Sequence, residues 1–418
     1  MAVVPFGGGT SVVGGVAPLR ERHGSVIALD LCALRTVEVD HRSMLARLGP
    51  GLRGPEAEAA LESEGLTLGH FPQSFAYATI GGFAATRSAG QASSGYGRFD
   101  ELVASLALTS PIGEMTTLAT PHTAAGPSLR ELALGSEGTL GVLTGIVARV
   151  RRSPEKRRYE AWVVPGFEEG ADAVRVLAQS GRLPDVVRLS DASETEIARS
   201  MAGGGGARAR LLDAYLGARR RSDGCALIVG WEGAADSVER RRALAAGGIR
   251  DCGGVAIGQA PGRSWHRGRY EGPYLRDQLL DLGVMAETLE TAHTWSDLAN
   301  LYAAVRRAIE TALDGQGTPG IVMCHLSHAY PDGASLYFTF IARQKEGAEL
   351  EQWRAVKSAA STAIVEAGGT ITHHHAVGRD HAPYMRAELG PVGLQALHAL
   401  KDRLDPAGIM NPGKLLPD

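Results

Sequence analysis

The feature that most constrains the fold is a run of three glycines, Gly7 to Gly9, within the segment Pro5–Ser11. Because glycine has no Cβ, this backbone can adopt positive φ and bring its N–H groups against an anion, while Thr10 and Ser11 add hydroxyl donors. The segment has neither the Gly-Lys-Ser/Thr of a P-loop nor the G-x-G-x-x-G pattern that opens a helix. It predicts a loop that holds pyrophosphate, although an ordinary flexible loop is the alternative in a chain with 54 glycines.

Length and charge narrow the class of protein. A chain of 418 residues should fold as two or more units with substantial cores. Its 43 basic and 46 acidic residues give a net charge of −3, which offers no electrostatic basis for binding nucleic acid or an anionic membrane. A small-molecule partner is therefore predicted.

The cysteines and the hydropathy pattern bear on location. The four cysteines form no C-x-x-C pair, which argues against a disulfide framework or a zinc ribbon and indicates a reduced, cytoplasmic setting. They are Cys32, Cys225, Cys252 and Cys324. The sequence has no signal-peptide pattern and no run approaching ~18 uninterrupted apolar residues.

The first elements of the chain indicate mixed α and β structure. Ser25–Asp30 and Thr36–Asp40 have strand patterns, and Pro55–Gly65 is typical of a helix with proline in its first turn and glycine at its end. Ala2–Pro5 has the character of the end of a buried strand, with no earlier strand to pair with. We therefore expect that the chain starts further upstream, that it is a fragment, or that a partner supplies the missing strands.

Further clusters of glycine, serine and threonine follow the first loop. Phe71–Phe83 is followed by Thr86–Gly90 and Ser93–Gly97, and a separate cluster spans Gly135–Val142. None has a helical or strand period, which favours backbone folded closely over a ligand rather than plain surface loops. Together with Pro5–Ser11, these clusters predict one extended ligand lying along several loops.

The second half of the chain contains isolated arginines of interest. In the predicted strand Val186–Leu189, Arg188 points to the face opposite its apolar neighbours, although an exposed edge-strand arginine is the alternative. Arg276 begins a helix-like stretch, where a solvated pair with Asp277 is the interpretation that the residues alone support. The four glycines Gly203–Gly206 predict a mobile loop.

Histidine side chains near the end of the chain suggest proton chemistry. Met323–His328 and Ala334–Phe340 predict the two strands of a hairpin, and the second strand carries Tyr337. On the sequence alone, a core tyrosine satisfied by one hydrogen bond is one interpretation of this residue. The run His373–His375 invites a metal reading, but adjacent side chains in a strand alternate faces, so no metal is predicted. General acid–base work suits imidazole, whose unperturbed pKa is about 6.5. Arg379 and His381 are weaker candidates.

Taken in order, these motifs carry a resemblance to a known family. Pro5–Ser11, Pro72–Gly82, Gly135–Gly141, the histidine run and the ending Asp405–Lys414 resemble the vanillyl-alcohol oxidase superfamily, and within it the alkyldihydroxyacetonephosphate synthase family. The resemblance runs from Val3 to the last residues. It implies an α+β fold, with a two-subdomain PCMH-type FAD-binding domain and a ferredoxin-like cap domain built on an antiparallel sheet.

The resemblance also implies domain limits and partners. The FAD-binding domain is expected at 1–155, the cap at 156–365, and a segment returning to the flavin site at 366–418. Family members have a further strand-helix-strand region before the glycine loop, so the first subdomain is expected to be incomplete at its N-terminus. A homodimer and peripheral contact with a membrane that holds a lipid substrate are expected as well.

The cofactor contacts that the resemblance implies fall on three motifs of the first domain: the glycine loop, the segment from Gln73 to Ala89, and the cluster around Glu137. The expected FAD-binding residues are Pro5, Phe6, Gly7, Gly8, Gly9, Thr10, Ser11, Gln73, Ser74, Phe75, Ala76, Tyr77, Ala78, Thr79, Thr86, Arg87, Ser88, Ala89, Ser136, Glu137, Gly138, Thr139, Leu140, Gly141 and Val142.

The implied reaction assigns roles to the remaining candidates. FAD is expected to act through N5 on C1 of acyl-dihydroxyacetone phosphate, so that a fatty alcohol replaces the fatty acid without net redox. Arg276 would bind the phosphate, and Tyr337 would exchange the C1 proton. His373, His374 and His375 form the catalytic histidine run, and Arg188 would support the flavin or the acyl group.

Two alternatives from other classes stay open. An FAD-linked dehydrogenase or oxidase of a 2-hydroxy acid or alcohol would share the flavin loops, so those loops do not discriminate. A homologue that binds no flavin and serves as a scaffold is the non-enzyme alternative. The histidine run with Tyr337, Arg188 and Arg276 favours the synthase type.

Overall fold

The computed structural model describes residues 1–201 and 206–417, and the chain divides into two compact units. Unit 1 comprises Met1–Gly90, Tyr96–Ser153 and Ile371–Asp418. Unit 2 comprises Gln91–Gly95 and Pro154–Thr370. The loop predicted at Gly203–Gly206 lies, apart from its last residue, outside the described residues.

Strands and helices alternate along both units. The strands are β1 (Ala2–Phe6), β2 (Val26–Asp30), β3 (Val37–Asp40), β4 (Leu45–Leu48), β5 (Leu66–Thr67), β6 (Val103–Ser110), β7 (Gly113–Thr116), β8 (Val142–Arg149), β9 (Arg151–Arg152), β10 (Lys156–Val164), β11 (Val186–Ser190), β12 (Cys225–Gly233), β13 (Val255–Gly258), β14 (Val284–Thr294), β15 (Gly320–Ala329) and β16 (Gly333–Arg343). The helices are α1 (Gly54–Ser63), α2 (Ile80–Ala85), α3 (Ser93–Tyr96), α4 (Phe99–Leu102), α5 (Leu129–Ala133), α6 (Phe167–Gln179), α7 (Ala192–Met201), α8 (Ala207–Ala218), α9 (Ala235–Asp251), α10 (Gln259–Gly268), α11 (Gly272–Asp281), α12 (Leu298–Gly315), α13 (Glu349–Glu366) and α14 (Met385–Leu404).

Unit 1 is built on an antiparallel sheet of five strands in the order β3-β4-β8-β6-β7. Its core includes Leu48 and Ile146 from the sheet, Leu61 from α1 and Ile80 from α2, all fully buried. Helix α1 forms because Gly54, Ala57 and Leu61 recur at helical spacing on its buried face. This core supports the loops that precede α2 and β8.

Unit 2 is built on an antiparallel sheet of seven strands in the order β13-β10-β12-β11-β15-β16-β14. The fully buried Trp162, Trp231, Phe338 and Phe340 form its centre with the apolar faces of the surrounding helices. One such face, on α12, repeats every three or four residues from Leu298 to Leu313. The two sheets and their helices confirm the predicted α+β class with an antiparallel cap sheet.

The first strand has a partner that the sequence did not suggest. Strand β1 pairs in parallel with β2, from Ala2 opposite Val26 to Phe6 opposite Asp30. Val3 also bridges Met410. Ala2–Pro5 therefore pairs with a strand that comes later in the chain rather than earlier.

No helix among the described residues combines the length and the hydropathy that crossing a bilayer requires.

Candidate functional site

The glycine loop of unit 1 begins where β1 ends, and other backbone closes around it. A Cβ at Gly8 would overlap the carbonyl oxygen of Tyr77, and a Cβ at Gly7 would overlap Oγ1 of Thr79. Gly9 has a φ of 65°, in the left-handed region that favours glycine. Two of the three glycines are therefore required for close packing and the third for its backbone angle.

Ser11 closes the far end of this loop. Its Oγ accepts a hydrogen bond from the Gly15 amide at 2.8 Å. A hydroxyl that accepts from backbone still has its own proton to donate. Ser11 can therefore both shape the loop and offer a donor to a bound phosphate.

The second motif contributes a capped helix and a fixed arginine. Thr79 caps α2, with Oγ1 accepting from the Gly82 amide at 3.2 Å, and Thr86 ends the helix by donating to Gly82 O at 2.8 Å. The Arg87 side chain donates to Leu134 O at 3.1 Å and pairs with Asp100 at 3.2 Å. Because that guanidinium is engaged inside the unit, the cofactor contact predicted for Arg87 would have to come from its backbone.

The third motif centres on Glu137, whose buried carboxylate accepts from the amides of Val377 and Gly378, each at 2.8 Å. Glu137 itself has a φ of 51°, and its carbonyl accepts from Asn411 Nδ2 at 2.6 Å. Burial raises the pKa of Glu137 to about 7, although the Val377 and Gly378 amides act in the opposite direction. This one residue joins the third flavin motif to the segment that follows the histidine run.

These parts of unit 1 fit FAD. Gly138 stands against the ring of Pro5, with 2.9 Å between a Cβ at Gly138 and Pro5 Cγ, so the first and third motifs meet. Within the described residues, the Ser136 hydroxyl is buried and makes no hydrogen bond. A buried donor without a protein partner beside glycine-rich backbone is the arrangement that a bound pyrophosphate or flavin would complete.

The histidine run does not form a strand. His373–His375 lies between α13 and α14 in irregular backbone, and His373 Nδ1 and His374 Nδ1 are 3.1 Å apart. The argument that adjacent side chains alternate faces was therefore wrong here. Since one of the two nitrogens must donate to the other, these rings share a proton. Arg98 fixes the segment by donating to His373 O at 3.0 Å.

The remaining histidine and arginine candidates of this segment differ in burial. His381 is buried, and its Nδ1 lies 2.9 Å from Ala376 O, so it ties the backbone together. Arg379 is exposed and lies 3.5 Å from Asp380. Their positions favour support of the loop over direct chemistry.

In unit 2, Arg188 lies on β11 between the buried Val187 and Leu189 while remaining half-buried itself. Its NH2 is 2.7 Å from Glu194 Oε1, and its NH1 is 3.1 Å from His325 Nε2. Burial acts to raise the pKa of the Glu194 carboxyl, but the adjacent Arg188 and His325 hold it well below its ordinary value. The guanidinium is thus held by two side chains rather than exposed on an edge strand.

Tyr337 belongs to the same group of side chains. It lies opposite His325 in the β15–β16 register, and the two rings stack with centroids 4.8 Å apart. Burial raises the pKa of Tyr337 to about 12, so the phenol stays protonated at neutral pH. The structure therefore brings together two predicted residues, Arg188 and Tyr337, through His325.

Glu194 and His325 are the members of this group that the sequence did not indicate as functional. Counting residues back from the turn would not place His325 opposite Tyr337, because the register shifts between Ser327 and Ala329, where His328 has a φ of 46°. For Glu194 the sequence offers one local signal: this acidic residue stands three positions after Asp191, at the start of α7.

Arg276 lies on α11. Its Nε donates to Ala286 O at 3.2 Å, and its NH2 lies 3.5 Å from Glu287 Oε2. Half of its side chain is exposed. The guanidinium is thus accessible to an anion but already faces a carboxylate.

Comparison with known proteins places these features in context. The family model "FAD binding domain" matches residues 1–119, and "FAD linked oxidases, C-terminal domain" matches residues 153–415. Alkyldihydroxyacetonephosphate synthase of Trypanosoma brucei brucei is 33% identical over 426 residues, covering 100% of this chain and 69% of the relative. The enzyme of the same name from Dictyostelium discoideum is 32% identical, with the same coverage. A solved structure of alkyldihydroxyacetonephosphate synthase superposes with a TM-score of 0.83 at 29% identity, covering 99% of this chain and 73% of that one.

Proposed function

This chain belongs to the FAD-linked oxidase family, and on that premise we propose that it is an FAD-dependent alkyl transferase. Its substrates would be acyl-dihydroxyacetone phosphate and a long-chain alcohol. The C1–O bond to the acyl group breaks and releases the fatty acid, and the alcohol oxygen bonds to C1 after losing its proton, with no net redox. The observation that carries the proposal is the group formed by Arg188, His325 and Tyr337, in a chain whose full length aligns with two synthases.

The flavin-binding residues would act mainly through backbone. FAD, when bound, would supply a nucleophilic nitrogen that assists the exchange of the acyl group for the alcohol at C1 of the substrate. The N–H groups of Gly7 to Gly9 and the hydroxyls of Ser11 and Ser136 would hold the pyrophosphate. The remaining residues of these motifs would shape the backbone around it.

Tyr337 and Arg188 would act on the substrate. Because the pKa of the Tyr337 phenol is raised, the phenol is a weak acid and its conjugate phenolate is a strong base. Such a pair suits exchange of the C1 proton. Arg188 would stabilise negative charge on the acyl group as it leaves. The shared proton of His373 and His374 would serve proton transfer to or from the incoming alcohol, with His375 holding the chain.

Arg276 would bind the phosphate. Its guanidinium is half-exposed, and its ion pair with Glu287 is long, at 3.5 Å, so two oxygens of a phosphate could accept parallel hydrogen bonds from it. The carboxylate of Glu287 would then remain held by the indole of Trp353, which donates to it at 2.6 Å.

Location and assembly form a separate part of the proposal. A cytoplasmic location is supported by cysteines that form no disulfide. Peripheral membrane contact is supported by the exposed Tyr274 and Leu275 on α11 and by Leu282 beyond it. A homodimer rests on the family resemblance alone.

The test is turnover by the FAD-loaded protein. Purified protein with added FAD is incubated with acyl-dihydroxyacetone phosphate and radiolabelled hexadecanol, and ether product and released fatty acid are measured. Equal amounts of both are expected, with Tyr337→Phe inactive and Tyr215→Phe, which alters a tyrosine on α8, unaffected. Reduction of a dye by lactate or glycolate, without ether product, would instead establish the dehydrogenase and overturn the proposal.

A further inference from the structure

The geometry around Arg188 fixes the protonation of its histidine neighbour. His325 Nε2 is 3.1 Å from Arg188 NH1, and His325 Nδ1 is 3.2 Å from Glu194 Oε1. An arginine guanidinium has only donors, so the nitrogen facing it must be the bare acceptor. The proton of a neutral imidazole is then on Nδ1, from which it donates to Glu194.

Burial makes this arrangement consequential. The His325 side chain is 5% exposed and that of Glu194 is 15% exposed, so both hydrogen bonds are largely shielded from water. A bond between shielded groups is costly to leave unmade. Rotation of the Arg188 guanidinium would break its bonds to both partners at once.

A third residue holds these two partners in place. Asp191, almost fully buried, accepts from the Glu194 amide at 2.8 Å through one oxygen and from the Cys324 amide at 3.0 Å through the other. Cys324 immediately precedes His325 on β15. The same carboxylate also pairs with Arg306 at 2.9 Å. Asp191 thereby links the start of α7 to the strand that carries the histidine.

We propose that Glu194 and His325 are positioning residues that hold the Arg188 guanidinium in a single orientation. Glu194 anchors one amino group and sets the histidine tautomer, and His325 anchors the other amino group through its bare nitrogen. The inference rests on the proposed function where it assigns Arg188 a role at the substrate.

The first test reads the tautomer and needs no activity. In protein labelled with ¹⁵N-histidine, the ring shifts of His325 near neutral pH should show a protonated Nδ1 and a bare Nε2. Glu194→Ala should replace this with signals averaged between tautomers, and Glu196→Ala, an exposed change on the same helix, should not. A proton on Nε2 in the unchanged protein would overturn the inference.

The second test uses two substitutions that differ in reach. The amide of His325→Gln can place an acceptor near the position of Nε2, whereas that of His325→Asn can place one only near Nδ1. We expect kcat to fall on the order of tenfold to a hundredfold in His325→Asn, as for a misplaced reacting group, and to be restored substantially in His325→Gln. Flavin content should match the unchanged protein in both.

The outcomes separate the two proposals. Equal kcat values for His325→Asn and His325→Gln would contradict positioning through Nε2. Absence of alkyl transfer by the unchanged protein would overturn the proposed function, and the tautomer measurement would then decide the inference by itself.

Discussion

The two candidate sites of this chain are made from different parts of the polypeptide. In unit 1 the site is made by backbone: glycines that exclude a Cβ, residues at positive φ, and a carboxylate that binds amides. In unit 2 the site is made by side chains on regular elements, with Arg188 on a strand, Glu194 on a helix and Tyr337 on a hairpin. The comparison teaches that cofactor binding should be sensitive to added atoms, and turnover to lost functional groups.

The largest expected effect is loss of the guanidinium. Arg188→Ala should lower kcat about a thousandfold, because a preorganised cation facing developing charge is removed, while FAD content stays unchanged. Activity assay and flavin absorbance measure the two quantities. Exposed Arg182→Ala is the control. Loss of flavin together with activity in Arg188→Ala would contradict the assignment of cofactor binding to unit 1 and of turnover to the side chains of unit 2.

A second effect concerns the carboxylate that joins two segments of unit 1. The pKa of Glu137 is about 7 in the folded state, against an ordinary 4.5. Between these two pH values the carboxyl group is protonated in the folded state and ionised in the unfolded state. The stability of unit 1 should therefore fall as pH rises from about 4.5 to about 7, by about 3 kcal/mol in total.

Glu137→Gln tests that dependence. The variant carries no titrating group at this position, so its free energy of unfolding should lack this fall with pH. Urea titrations followed by flavin release, performed at several pH values, compare the two proteins. The same slope in both would mean that another group is responsible.

A smaller effect is expected from one added methyl group. Gly8→Ala should weaken FAD binding about tenfold to a hundredfold, because the new Cβ forces the loop away from Tyr77. Gly24→Ala, where nothing lies within 4 Å of the added carbon, is the matched control. Flavin titration measures both. Unchanged FAD affinity in Gly8→Ala would show that the loop can accommodate a Cβ at this position, contrary to its close packing against Tyr77.

The smallest effect sharpens the comparison at one hydroxyl. Thr79→Ala removes the N-cap of α2 and should lower the stability of unit 1 by about 1 kcal/mol. Thermal unfolding with Thr120→Ala, at an exposed threonine, as control measures it. A loss of FAD affinity in Thr79→Ala as large as that in Gly8→Ala would indicate that Thr79 also contacts the cofactor directly.

The same difference explains what the sequence could predict. The candidate site made by backbone can be predicted from local composition, because glycine and small hydroxyl residues are needed where the chain turns sharply. Pro5–Ser11 and Gly135–Val142 could therefore be recognised from the sequence alone. Mixed α and β structure followed from local patterns, as in the predicted strand Thr36–Asp40, which contains β3, and the predicted helix Pro55–Gly65, which overlaps α1.

The rest depends on contacts between distant segments. A register shift beside His328 decides which residue faces Tyr337, and no local pattern announces it. The strand that pairs with β1 could not be inferred because parallel pairing is set by tertiary closure. The irregular course of His373–His375 likewise depends on the bond from Arg98.

The contacts of the last segment with unit 1 have a consequence for synthesis on the ribosome. The Asn411 amide donates to Val3 O, and its Nδ2 donates to the carbonyls of Gly15 and Glu137, so unit 1 is assembled from stretches separated by nearly the whole of unit 2. Unit 2 is almost continuous in sequence and can fold as soon as it emerges. The flavin loops cannot make these contacts until residues 371–417 have been synthesised, and incompletely folded chain is prone to aggregate during such an interval.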